Sequence, residues 1–214
     1  REGLATLEVP RNVAGRFSVL TAAGLLPAAF SGVDVEALLS GARRANVACG
    51  GASPSDDPAF LAALCDARLW PSRNVCVFFV YSGLLARVAD WFAQLWAESL
   101  GKAVDLDGNT INVGPTPIKA LGTTDQHSQV QLYREGPNDK LFTFLQVENF
   151  DDDLTIGPAP KVAPELAYLC SRKMSTLLNS EKAATEYALL QDQRPCVTVL
   201  FDRLNAHSVG QFIY

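Results

Sequence analysis

The 214-residue chain lacks any C-x-x-C pair, and its five cysteines (Cys49, Cys65, Cys76, Cys170, Cys196) are scattered, with no histidine at metal-ligand spacing. That argues against a zinc site and against a disulfide framework, and it reads as reduced, buried thiols of a cytoplasmic protein. Long apolar runs are missing as well. The longest, VCVFFVY at residues 75–81, falls far short of the ~20 residues a membrane helix needs. The opening REGLATLEVP carries none of the apolar stretch of a signal peptide. Charge is sparse: 19% of residues are charged and the net charge is −5, which disfavours nucleic acid as a partner. No G-x-G-x-x-G fingerprint follows a strand-like run, and no internal repeat is visible.

What is present is the pattern of a globular α/β protein. Apolar residues make up 48% of the chain, enough to bury one core in a single domain over residues 1–214. Three short runs rich in β-branched and aromatic residues, 75–81 (VCVFFVY), 141–147 (LFTFLQV) and 196–201 (CVTVLF), read as buried strands. Helical periodicity occupies 16–30, 33–45, 58–68, 83–100, about 124–134, and 164–191 with a break expected near Asn179. Continuous apolar strands alternating with helices predict a three-layer sandwich, with a mainly parallel sheet flanked by helices. The acidic run from Asp151 to Asp153 and the IGPAPKVAP after it read as a solvated loop. Both ends look cut, because SVGQFIY begins a helical pattern without a stop.

Four side chains are candidates for chemistry. Gln94 and Glu98 lie four apart on the 83–100 helix and so share one face. Gly101 is a candidate left-handed C-terminal cap. A carboxylate in the last turn meets the negative end of the helix dipole, and burial among Trp91, Leu95 and Trp96 would add desolvation; both effects would make Glu98 a better proton acceptor. The competing reading is a surface pair of Glu98 with Lys102. His127, one of two histidines, falls in the first turn of a helix that Thr123, Thr124 or Asp125 could cap, where a neutral ring can donate and accept; from local pattern alone an ordinary polar residue is the favoured reading. Arg16 opens a helix with Phe17, Leu20 and Leu25 on its buried side. A cation there opposes the helix dipole, so either solvent exposure or an anionic partner must explain it. His207 has no supporting context and reads as structural.

Three segments, in order, resemble the phosphoglucose isomerase family in its bacterial form: NVAGRFSVLTAAGLLPAAFSGVD, QLWAESLGK and GPTPIKALGTTDQHSQVQLYREGPNDKLFTF. The resemblance runs along nearly the whole chain and implies the second of two sugar-isomerase domains of a homodimer acting on a sugar phosphate. It implies that Glu98 moves a proton between C1 and C2 of the opened sugar through a cis-enediol and that Arg16 stabilises that intermediate. Gln94 would line the same pocket, and His127 would assist ring opening at the neighbouring subunit's site. It implies no metal and no organic cofactor. The family's phosphate loop and C-terminal lysine would lie outside this chain, so the chain alone is expected to be inactive. Ala14 stands where the family has a glycine, and it would strain the turn if that position needs positive φ. Two other readings stay open: a non-catalytic sugar-phosphate-binding module, and the isomerase half of a bifunctional enzyme.

Overall fold

The computed structural model describes residues 3–51 and 54–214. In chain order its elements are α1 (Ala22–Phe30), α2 (Val35–Ala48), α3 (Pro58–Leu69), β1 (Val75–Tyr81), α4 (Ala86–Leu100), β2 (Lys102–Val104), β3 (Thr110–Val113), β4 (Thr116–Leu121), α5 (Thr124–Glu135), β5 (Lys140–Asn149), α6 (Met174–Gln191), β6 (Cys196–Arg203) and α7 (Ala206–Ile213). They sort into two compact units, Arg1–Leu61 with Asn205–Tyr214, and Ala62–Leu204.

The second unit holds a parallel sheet in the order β4-β1-β5-β6. β1 is central because VCVFFVY has no polar face to show to water; Phe79, Val80 and Tyr81 are 0% exposed. Alternation sends successive side chains to opposite faces. Phe78 meets α4, where the Phe92 ring stacks on it at 4.1 Å between centroids and Trp96 follows. Val77, Phe79 and Tyr81 meet the other layer, joined by Tyr133 of α5, Leu189 of α6, and Phe142 and Phe144 of β5. Each such side chain stabilises the fold by up to ~1.5–3 kcal/mol. The α/β class and the flanked parallel sheet expected from the sequence are therefore present.

Several local expectations were wrong. β4 (TPIKAL) went unpredicted because it is an edge strand, where Pro117 and Lys119 are tolerated and no apolar run is needed. The β2–β3 hairpin was also missed. In the 164–191 stretch, a 3-10 segment Pro164–Leu169 ends before α6, and Ser171 at φ 61 marks the break. Asn179 sits inside α6 and donates through Nδ2 to the Val147 carbonyl at 3.1 Å. The acidic run is an exposed loop at Asp151 and Asp152, as read, and only Asp153 is anchored, accepting from the Ser175 backbone N–H at 3.0 Å and its hydroxyl at 2.6 Å.

In the first unit α2 and α7 pack backbone to backbone. A Cβ at Gly41 would lie 1.9 Å from the His207 carbonyl oxygen, and one at Gly210 would lie 1.9 Å from that of Leu38. Only glycine permits this approach. His207 thus belongs to a helix-packing contact. Asp34 caps α2 through the Ala37 N–H at 2.9 Å, and Asn205 and Ser208 form a capping box on α7. Among the described residues no helix is long and apolar enough to cross a membrane.

Candidate active site

The parallel sheet has two edges at which side chains can converge. α4 starts beyond the carboxyl end of β1 and runs back, so its C-terminus stands at the amino ends of the strands. There Gln94 Nε2 donates to Glu98 Oε1 at 3.1 Å, and both side chains are exposed. The helix dictates this pairing, since residues four apart stack on one face. Burial of Glu98 among aromatic rings is not found: Phe92 and Trp96 turn toward the sheet while Glu98 faces water. Lys102 instead directs its ammonium to the carbonyls of Ser99 (2.5 Å) and Gly101 (3.3 Å), closing the helix end. Gly101 is extended at φ −66, ψ 121, not left-handed; the lysine, not a positive φ, satisfies the last turn.

Behind this helix end the packing is polar in part. Trp96 Nε1 is buried and, among the described residues, has no nitrogen or oxygen partner; the Cys76 thiol is the polar group beside it. Asp66 of α3 is half-buried, and desolvation pushes its carboxyl up to about 6. Cys76, buried in β1, is pushed up to about 12, first by burial and then by the charge of Asp66. The next chain segment, the β2–β3 hairpin, is tightened by Asp105, which accepts from the backbone N–H groups of Asp107 and Asn109, each at 2.9 Å, and from Asn109 Nδ2 at 3.0 Å.

His127 lies at the opposite edge. β4 ends at Leu121, and α5 begins three residues later at Thr124. Thr123 is the N-cap residue but makes no side-chain cap bond. Asp125 performs the local bonding, accepting from the Leu121 N–H at 2.7 Å and from the Ser128 hydroxyl at 2.9 Å. The His127 imidazole is exposed. Its neighbour Gln126 points inward and donates through Nε2 to Tyr81 Oη (2.7 Å), Thr185 Oγ1 (2.6 Å) and the Glu181 carbonyl (3.1 Å). Burial raises the Tyr81 hydroxyl, opposed by hydrogen bonds with Thr185 and Gln126. One turn along α6, Lys182 is 3% exposed and bonds Glu186 at 2.7 Å and Thr198 at 2.6 Å. Burial works against the Glu186 charge, yet the Lys182 and Thr198 bonds hold its carboxyl below the ordinary range.

Sequence reading missed Tyr81, Gln126 and Thr185. The available signal was weak: a tyrosine ending an otherwise apolar strand, and a glutamine beside the candidate histidine.

Arg16 belongs to the first unit. It lies in a 3-10 segment, Gly15–Leu20, and not at an α-helix N-terminus; α1 starts afterwards, capped by Thr21, whose hydroxyl accepts from Ala23 N–H at 3.3 Å. The dipole objection therefore falls away. The Arg16 guanidinium sits 5.0 Å from the Phe17 ring centroid, and Phe17 is 53% exposed, against the expected buried side. Ala14 has φ −67, so alanine is unstrained there.

The arrangement brings Gln94 and Glu98 together and separates them from His127 by about the length of β1, seven residues or roughly 20 Å. A cleft of about 240 Å³ opens between the start of α4, β4 and the start of α5, lined by Arg87, Asp90, Lys119 and Asp125, with Lys119 paired to Asp90. None of the four candidates lines it. Among the described residues no three His, Cys, Asp or Glu are grouped to hold a metal.

Residues 5–214 match the family described as phosphoglucose isomerase. The chain is similar to the glucose-6-phosphate isomerase of Carboxydothermus hydrogenoformans, 45% identical over 213 residues, covering 99% of this chain and 46% of the relative. It is similar to that of Rubrobacter xylanophilus, 46% identical over 213 residues, covering 98% of this chain and 47% of the relative. Among solved structures it resembles a hypothetical protein of Thermus thermophilus, with TM-score 0.89 and 38% identity over 96% of this chain and 48% of that one. A Chlamydia trachomatis glucose-6-phosphate isomerase shares the fold, with TM-score 0.79 and 18% identity over 96% of this chain and 41% of that one. The chain spans about half the length of the curated relatives it matches.

Proposed function

The chain belongs to the phosphoglucose isomerase family, and from that premise we propose that the protein carrying it interconverts glucose 6-phosphate and fructose 6-phosphate. The observation that carries the assignment of roles is the Gln94–Glu98 pair: a carboxylate held in place by a neighbouring amide, yet open to solvent at a helix end. In the forward direction the Glu98 carboxylate takes the proton from C2 of the opened aldose. The C2–H electron pair forms the C1–C2 double bond, and the carbonyl electrons move to O1, which takes a proton from solvent to give a cis-enediol. Returning the proton to C1, while the O2 hydroxyl gives its own proton to solvent and C2 becomes the carbonyl, completes the isomerisation. One base that holds and returns a proton suffices, with a fixed cation near the developing oxyanion. Arg16 is the proposed cation, and Gln94 lines the pocket and orients the base.

His127 is the proposed ring-opening residue, acting at the site of a second subunit. The distance along the sheet between His127 and Glu98 supports that division, since groups at opposite edges of one sheet cannot act on one sugar. The working protein is accordingly a homodimer, placed in the cytoplasm. A pure sugar-phosphate binder would need no base, so Glu98 and Gln94 together favour the enzyme. The test is Glu98→Gln in the full-length protein. Isomerisation and exchange of the C2 proton should fall on the order of 10³-fold with substrate affinity kept; unchanged exchange overturns the role of Glu98.

A further inference from the structure

His127 is exposed and, among the described residues, its ring hydrogen-bonds to none. Its position is therefore set by the backbone that carries it, and that backbone is clamped from below by two features of one residue, Tyr81, the last of β1. The Tyr81 ring lies under Gly122, where a Cβ would come within 2.5 Å of it. The Gly122 N–H meanwhile extends the ladder to the Val80 carbonyl at 2.9 Å. The Tyr81 hydroxyl accepts from Gln126, which also bonds Thr185 on α6, and the Thr185 hydroxyl donates to the Glu181 carbonyl at 2.9 Å. The strand-to-helix turn is thus tied to β1 and to α6 on either side of it, and His127 is the next residue.

A primary amide has two donors, and here three acceptors share them, all within 3.1 Å. Such a network costs free energy when half-satisfied, so it favours one placement of the turn over any other. A surface histidine at the start of a helix needs no such support if it is merely a polar residue. We propose that Gln126, with Tyr81 and Thr185, is a positioning residue that fixes His127 for ring opening. This rests on the ring-opening role given to His127 above.

Gln126→Met in the full-length protein removes the amide with little change of volume. Turnover that starts from the closed-ring sugar phosphate should drop about tenfold, since small misplacements of a catalytic group are costly. Turnover of an open-chain substrate should change less than twofold, as a rough bound. Tyr81→Phe, which keeps the ring under Gly122, and Thr185→Val should shift the same ratio in the same direction, and Thr185→Ser should restore it. In a histidine-labelled NMR spectrum the ring signal that disappears in His127→Ala should move in Gln126→Met, while that of His207 stays. Equal losses on both substrate forms, or an unmoved His127 signal, overturn the proposal. Ring-form dependence in His127→Ala without any in Gln126→Met sinks the positioning role alone. Its absence from both variants sinks the ring-opening reading as well.

Discussion

The two edges of the sheet are built by different means. At the amino edge, Gln94 and Glu98 rest on a single helix, whose end is closed by Lys102 and whose opposite face turns Phe92 and Trp96 toward the sheet. At the carboxyl edge, His127 rests on a turn bound to β1 below it and α6 beside it by a closed hydrogen-bond network. The proposed proton carrier sits on the simpler support, and the proposed ring-opening residue sits on the stiffer one. Local helix geometry is enough to position the first; tertiary bonding is required for the second.

Pairing a variant from each edge tells whether the two edges work in one site or two. Glu98→Gln and His127→Ala chains should each be nearly inactive on the closed-ring sugar phosphate. Mixed and re-associated, they should recover roughly a quarter of wild-type activity, because half the dimers are hybrids and each hybrid has one intact site. No recovery would place both residues in the same chain's site.

Next comes stability at the carboxyl edge. Gly122→Ala forces a methyl into the Tyr81 ring, and chemical denaturation should register a loss of about 1–3 kcal/mol. An unchanged midpoint would mean that the turn is not clamped. The amino edge should respond to pH instead. Asp66, with its carboxyl at about 6 in the folded chain against an ordinary 3.8, binds its proton more tightly folded than unfolded. Its contribution is full below pH 4 and is lost as pH rises through 6. Wild type should therefore lose on the order of 1 kcal/mol relative to Asp66→Asn between pH 4 and 7, a figure reduced for solvent screening at a half-exposed group; parallel stability curves would refute it. The smallest effect belongs to Gly101→Ala. The backbone there is extended and the new methyl would stand 3.1 Å from the Ala97 carbonyl, so thermal unfolding should shift by no more than about 0.5 kcal/mol.

How much of this was legible in the sequence follows the same division. β1 was read to the residue because burial on both faces leaves an unbroken apolar signature. The pairing of Gln94 with Glu98 was legible because helical spacing alone brings them together. β4 was not, since an edge strand has only one side to bury and its composition is mixed. The Gln126 network was invisible because its partners are distant in sequence, 45 residues to Tyr81 and 59 to Thr185. The surface partner expected for Glu98 failed for a different reason: the carbonyls at a helix end compete for Lys102, and they won. For Arg16, helical periodicity alone did not distinguish a 3-10 segment from an α-helix.

α4 also acts as a ruler. Its 15 residues carry the chain from one end of the sheet to the other, and each residue advances the helix about 1.5 Å and turns it about 100°. Inserting one residue between Phe92 and Gln94 would leave the Phe92 stack on Phe78 in place, turn Trp96 off the sheet, and swing Gln94 and Glu98 away from solvent, toward a packed flank. The pair would survive as neighbours and vanish as a site. Length changes are therefore tolerable in the β2–β3 turn that follows, where Asp105 closes the loop locally, and intolerable in the helix that precedes it. The position of the proposed proton carrier is a matter of phase as much as of identity.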